Sequence, residues 1–98
     1  MKHVRMATYK ITKGNYDDIV RIATEPGAMS DIYEGIDGFA QFGIADVGDG
    51  DFLSMTVWDS REAAEKANEA ARSWVSENVS DRIELKTSMI GDFGYLKA

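Results

Sequence analysis

The sequence contains no cysteine, one histidine and one proline in 98 residues. Without cysteine there is no disulfide, no thiolate nucleophile, no zinc knuckle and no thiolate-held iron–sulfur cluster, and the lone His3 cannot build a histidine-rich metal site. Positive charge is also scarce, with 11 Lys and Arg against 17 Asp and Glu for a net charge of −6. An acidic chain with no basic cluster repels phosphate backbones and anionic lipid, so neither nucleic acid nor a membrane surface is an expected partner. The imbalance is even, 5 positive and 8 negative residues in 1–50 and 6 and 9 in 51–98, so neither half is a charged tail. Nowhere do about 18 apolar residues run together. The first residues, MKHVRMATYKITK, lack the apolar stretch of a secretory leader. The expected location is therefore the cytoplasm, and Asn78-Val79-Ser80 is a chance match to a glycosylation sequon.

What is present is a hydrophobic fraction of 44%, too high for a disordered chain, in a length that suits one domain spanning 1–98. Residues 3–12 (HVRMATYKIT) read as a strand stopped by Lys13-Gly14. Asn15 followed by Asp17 and Asp18 places a capping side chain and two carboxylates at a helix start, where exposed N–H groups favour negative charge. Ile19, Ile22 and Ala23 share one helical face, Pro26 disfavours helix at Glu25, and Met29, Ile32 and Tyr33 resume the spacing. The expectation is a first helix broken into two segments. Phe39–Ala45 and Phe52–Trp58 read as strands joined by a tight hairpin at Asp49-Gly50. Asp46, Asp49 and Asp51 lack the spacing of a calcium loop and belong to that turn. Gly43 inside the strand marks a bulge or the close approach of another backbone.

After a cap at Asp59 or Ser60, Ala63, Ala67, Ala70 and Trp74, with Ala64, Ala71, Val75 and Asn78 beside them, form a helical stripe that is mostly Ala. Arg82–Ile90 alternates Ile83, Leu85, Thr87 and Met89 against Glu84, Lys86 and Ser88, a half-exposed strand at a sheet edge, and Tyr95-Leu96 reads as a short terminal strand. Asp92-Phe93-Gly94 matches a kinase motif by coincidence, since no other kinase element is present. The order is β-α-β-β-α-β, an α+β fold of ferredoxin-like type with a four-stranded antiparallel sheet. Two helices cover only one face of that sheet and leave the other bare. Large apolar residues are expected on both faces, Phe39 against Phe42, and Phe52 and Trp58 against Leu53, Met55 and Val57. A second copy of the sheet is the expected cover, giving a homodimer.

Lys13-Gly14 ending the first strand, Gly35-Ile36-Asp37-Gly38-Phe39 after the first helix, and Ser54-Met55-Thr56-Val57-Trp58-Asp59-Ser60 before an Ala-rich helix resemble the dimeric α/β-barrel superfamily. Within it the chain is most similar to the antibiotic biosynthesis monooxygenase (ABM) domain, over nearly its whole length. That resemblance implies a dimeric α/β barrel and leaves activity open, because the family includes cofactor-independent oxygenases of polyketide-type aromatics, haem-degrading enzymes and quinol oxygenases. The haem-degrading pattern places an Asn on the first strand and a Trp and a His on the last helix. The matching positions fall near Ala7, Ala67 and Glu77, so the resemblance does not extend to that chemistry.

The oxygenase branch implies a dry aromatic pocket, with no cofactor, that binds a small phenolic, anthrone-like or quinol-like substrate and lets its carbanion meet oxygen. Tyr9, Tyr33, Trp58 and Trp74 are the candidate pocket residues, and Arg5 the candidate stabiliser of an enolate. Each also has a structural role open to it. Trp74 sits on the apolar stripe, Trp58 on the strand-to-helix junction, and the buried tyrosine hydroxyls need partners that water or substrate can supply. The alternative to an oxygenase is a non-catalytic dimeric module that binds a small hydrophobic molecule or is purely structural. It would have a pocket filled by Trp74 and Met side chains, without convergent polar groups.

Overall fold

The computed structural model describes residues 1–98 and has the element order β1 (His3–Ile11), α1 (Tyr16–Thr24), α2 (Met29–Glu34), β2 (Phe39–Gly48), β3 (Asp51–Trp58), α3 (Arg61–Asn78) and β4 (Ile83–Asp92). The four strands form one antiparallel sheet in the order β2-β3-β1-β4, the ferredoxin-like layout. The edge position of β4 is as the half-polar sequence predicts. Residues 95 and 96 are not in a strand, because β4 has already ended at Asp92 and no neighbouring strand remains to pair with them.

Local chemistry sets the helix boundaries. The Asn15 side chain accepts from the Asp18 N–H at 2.9 Å while the Asp18 carboxylate accepts from the Asn15 N–H at 3.1 Å, a reciprocal cap that starts α1. Glu25, held extended ahead of Pro26, ends it. The break separates α1 from α2 as two helices, which lets Met29 and Tyr33 turn into the core. Ser60 caps α3 by accepting from the Ala63 N–H at 3.1 Å. The Asp59 N–H donates to the Gly38 carbonyl at 2.8 Å, so the Gly-x-x-Gly-Phe turn and the strand-to-helix junction meet in space. Gly38 has a φ of +94°, and a Cβ there would lie 3.2 Å from that of Ala63, which makes glycine the fitting residue.

Opposed residues in an antiparallel pair share a face. The helix-covered face carries Arg5, Ala7 and Tyr9 of β1 and Phe52, Ser54, Thr56 and Trp58 of β3, all buried. Two β-irregularities change the faces expected from simple alternation. On β2 the register shifts between Phe39 and Gln41, so Phe39, paired with Trp58, and Phe42, paired with Thr56, lie on the same face rather than on opposite ones. On β4 the register shifts at Lys86, placing Leu85 and Ser88 opposite Tyr9 and Ala7, while Thr87 and Met89 move to the open face opposite Thr8 and Met6. Gly43 is in regular register with Met55, and the bulges flank it on either side.

The open face is apolar at its centre. Met55, Met6 and Met89 form one cross-strand row, with Val57 and Val4 a second row beside it.

Candidate functional site

Arg5 is the one charged residue buried in the core, 2% exposed, beneath α2 and α3. Its Nε donates to Asn68 Oδ1 at 3.2 Å, its Nη1 to the Tyr33 hydroxyl at 3.3 Å and its Nη2 to the Tyr9 hydroxyl at 3.4 Å. All three acceptors are neutral, and no carboxylate lies within ion-pair distance of the guanidinium. A buried guanidinium without a counter-charge is an expensive arrangement.

Each partner is brought in by a different element. Tyr9 follows Arg5 by two pleats on β1, so both point beneath the helices, and its ring stacks on Phe52, its partner across the ladder, at 5.1 Å. Tyr33 comes from α2 and is 1% exposed, with its ring edge-on to Phe42 at 4.9 Å. Burial pushes the Tyr33 phenol up to about 12, against the pull of Arg5 and a hydrogen bond with Ser54 that lower it; Tyr9 raises it further. Tyr33 is therefore a neutral hydrogen-bond donor at physiological pH and no base. Asn68 comes from α3, and Ser88 Oγ also donates to its Oδ1, at 3.4 Å.

Two spaces adjoin this cluster. A cavity of about 40 Å³ lies between sheet and helices, lined by Tyr9, Tyr33, Ser54, Ala71 and Trp74 among others. It has room for a water molecule or two and falls short of an aromatic ligand. Beside it an open groove of about 520 Å³ runs between α3 and β4, with Arg5, Tyr9, Asn68, Arg72 and Leu85 in its walls. Its volume is of the size that small-molecule sites occupy. Tyr9 and Val75 line both spaces.

Of the residues singled out from the sequence, Arg5, Tyr9 and Tyr33 converge on one cluster, and Trp74 lines the cavity beside them. Trp58 lines neither space. It is fully buried, edge-on to Phe39 at 5.6 Å and Tyr33 at 6.0 Å, and its Nε1 meets no protein acceptor. Sequence reasoning missed Asn68, Ser54 and Ser88. Asn68 had a signal, a polar residue four after Ala64 and three before Ala71 on the Ala stripe. Ser88 had none, since its inward position depends on the Lys86 irregularity.

No group of three potential metal ligands lies together, and no helix is long and apolar enough to cross a membrane. No family sequence profile matches the chain, and no curated protein matches it by sequence. Solved structures match its fold. A protein from Bacillus cereus described as a candidate antibiotic biosynthesis monooxygenase is 22% identical, with a TM-score of 0.67 over 100% of this chain and 96% of that one. SnoaB, a cofactor-independent oxygenase from Streptomyces nogalater, is 13% identical, with a TM-score of 0.67 over 99% and 95%. A dimeric ferredoxin-like protein from an uncultured marine organism is 12% identical, with a TM-score of 0.73 over 100% and 99%. At these identities the likeness is one of fold, and the structural neighbours are ABM domain proteins and dimeric ferredoxin-like proteins.

Proposed function

We propose that the protein is a cytoplasmic, cofactor-independent monooxygenase of small aromatic or quinol-like substrates that works as a homodimer. The observation that carries the reading is the buried Arg5 guanidinium held by Tyr9, Tyr33 and Asn68 with no carboxylate beside it. Monooxygenation of an anthrone-type methylene needs an enolate, and a fixed cation in a water-poor site stabilises the oxygen on which that charge collects. The C–H proton leaves to solvent, the carbanion and O₂ form a C–O bond, and protonation gives a hydroperoxide. Loss of water from it leaves the ketone, so one oxygen atom enters the product and the other leaves as water. Arg5 holds the enolate oxygen, Tyr33 donates a hydrogen bond as a neutral phenol, and Trp74 with the Ala face of α3 excludes water. Movement of Val75 or Tyr9, which line both spaces, would join cavity and groove into one pocket. A fold shared with a cofactor-independent oxygenase supports this reading.

The homodimer is supported by the Met55–Met6–Met89 row on the open sheet face and by a dimeric structural neighbour. Methionine side chains adapt to irregular apolar surfaces and suit such an interface.

Oxygen uptake over a panel of anthrones and hydroquinones tests the activity. Turnover should fall by about 10²–10³ in Arg5→Gln, the loss typical of removing an oxyanion donor. A panel that gives no uptake with the wild-type protein removes the oxygenase reading. The second reading, a non-catalytic small-molecule binder, is favoured by the 40 Å³ cavity and would then stand.

A further inference from the structure

The groove between α3 and β4 has Arg5 buried in one wall and Arg72 exposed on α3. Neither makes an ion pair, in a chain where acidic residues outnumber basic ones by 17 to 11. A guanidinium has five N–H groups and stays charged at any physiological pH. Three of those on Arg5 serve Asn68, Tyr33 and Tyr9, which leaves one on each Nη. Each can give an anionic oxygen a charge-assisted hydrogen bond.

The second observation is what the walls lack. No Asp, Glu or His lines the groove or the cavity. With no carboxylate in either wall to balance them, the two unpaired guanidiniums are left to an anionic group that the ligand itself carries. Tyr9, Val75 and Leu85 give the same groove an apolar wall.

From these two observations we infer that the ligand is an aromatic acid, a flat ring system carrying a carboxylate, with a carboxylate oxygen on one free N–H of Arg5, the other N–H left for the enolate oxygen, and the ring along Tyr9, Val75 and Leu85. This rests on the reading of the site as a substrate pocket and specifies the substrate's charge. Arg72 at the exposed wall draws the anion in, and the buried Arg5 holds it.

The test is equilibrium binding of 2-naphthoate, its neutral isostere 2-naphthamide and inorganic phosphate, read by tryptophan fluorescence and calorimetry. Wild-type protein should bind naphthoate at least ten-fold tighter than naphthamide, and phosphate should not displace it at equal concentration. Arg5→Gln should erase the preference for the acid with naphthamide affinity unchanged. Arg72→Gln, an exposed change that leaves the core intact, should weaken naphthoate binding a few-fold and serves if the Arg5 variant does not fold. Equal binding of acid and amide, a preference that survives in Arg5→Gln, displacement by phosphate, or no binding of naphthoate would each overturn the inference. Naphthoate binding without any oxygen uptake over the panel removes the oxygenase reading alone. Turnover of neutral anthrones without preference for acids removes this inference alone.

Discussion

Arg5 Nη1 donates to the Tyr33 hydroxyl at 3.3 Å and so ties β1, one of the sheet's two inner strands, to the short helix α2 at the centre of the site. The contact joins a cation with no anionic partner to a phenol that burial keeps neutral up to about 12. Between its ordinary value of 10 and about 12, folded Tyr33 keeps a proton that the unfolded chain releases. Its contribution is therefore whole below pH 10 and is lost as pH rises through the folded value. The shift corresponds to roughly 2–3 kcal/mol. Urea unfolding at pH 8 and pH 11 should show the wild-type protein losing about 1 kcal/mol more than Tyr33→Phe over that interval. Equal losses would show that the buried phenol is not what titrates.

A buried guanidinium held only by neutral groups is retained at a cost to the free protein. Replacing a buried ion pair with apolar side chains of similar volume is often neutral or stabilising by about 1–4 kcal/mol, and Arg5 has no anion that its loss would leave unpaired. Arg5→Met is therefore expected to match or exceed wild-type stability in thermal unfolding while ligand binding is lost. A variant less stable by more than about 2 kcal/mol would mean that Arg5 serves the fold first.

Much of this arrangement was legible beforehand, and the reasons differ by element. The Asn15 cap, the break at Pro26, the Asp49-Gly50 turn and the Ala stripe of α3 depend on short-range chemistry that a single stretch of sequence contains. Alternation along β1 placed Arg5 and Tyr9 together for the same reason. The misplaced faces come from the irregularities at Phe39/Gln41 on β2 and at Lys86 on β4, which are decided by partner strands far along the chain. Simple alternation therefore sets Phe39 and Phe42 on opposite faces when they share one, and it hides Ser88 from Asn68. Asn68 was passed over because a polar residue on a small-residue stripe has no local signature of its partner, which lies on β1.

Trp58 gives a prediction about packing. Fully buried, it fills the junction between β3 and α3, yet its indole N–H meets no acceptor. Trp58→Ala should cost about 3–5 kcal/mol in chemical unfolding. Trp58→Phe, which also removes the unpartnered donor, should cost under about 1.5 kcal/mol. Similar losses in the two variants would show that the indole nitrogen is satisfied.

Gly38 holds the turn that receives the Asp59 N–H, at a positive φ with Ala63 packed against it. Gly38→Ala combines left-handed strain with a tight contact and should lower stability by about 1–3 kcal/mol, while Gly27→Ala, with open space around it, isolates the strain alone. The larger loss at position 38 in thermal unfolding checks this, and equal losses would mean that the Ala63 contact relaxes freely.

For the open sheet face, Met55→Asp sets a charge in the middle of the Met55–Met6–Met89 row. The wild-type protein should scatter light as two chains at micromolar concentration, and the variant as one. A wild-type mass near that of a single chain would remove the homodimer.

The two strands at the sheet's margins have a further consequence. β2 carries irregularities near both ends, and β4 carries one at Lys86 with Glu84 close by. A margin that bends and bears charge is a poor template for a neighbouring backbone, because an added strand needs an unbroken row of matched N–H and C=O groups. Growth by strand addition is thereby discouraged at both ends of the sheet. The chain can keep a methionine-rich surface for face-to-face contact and still resist forming fibrils.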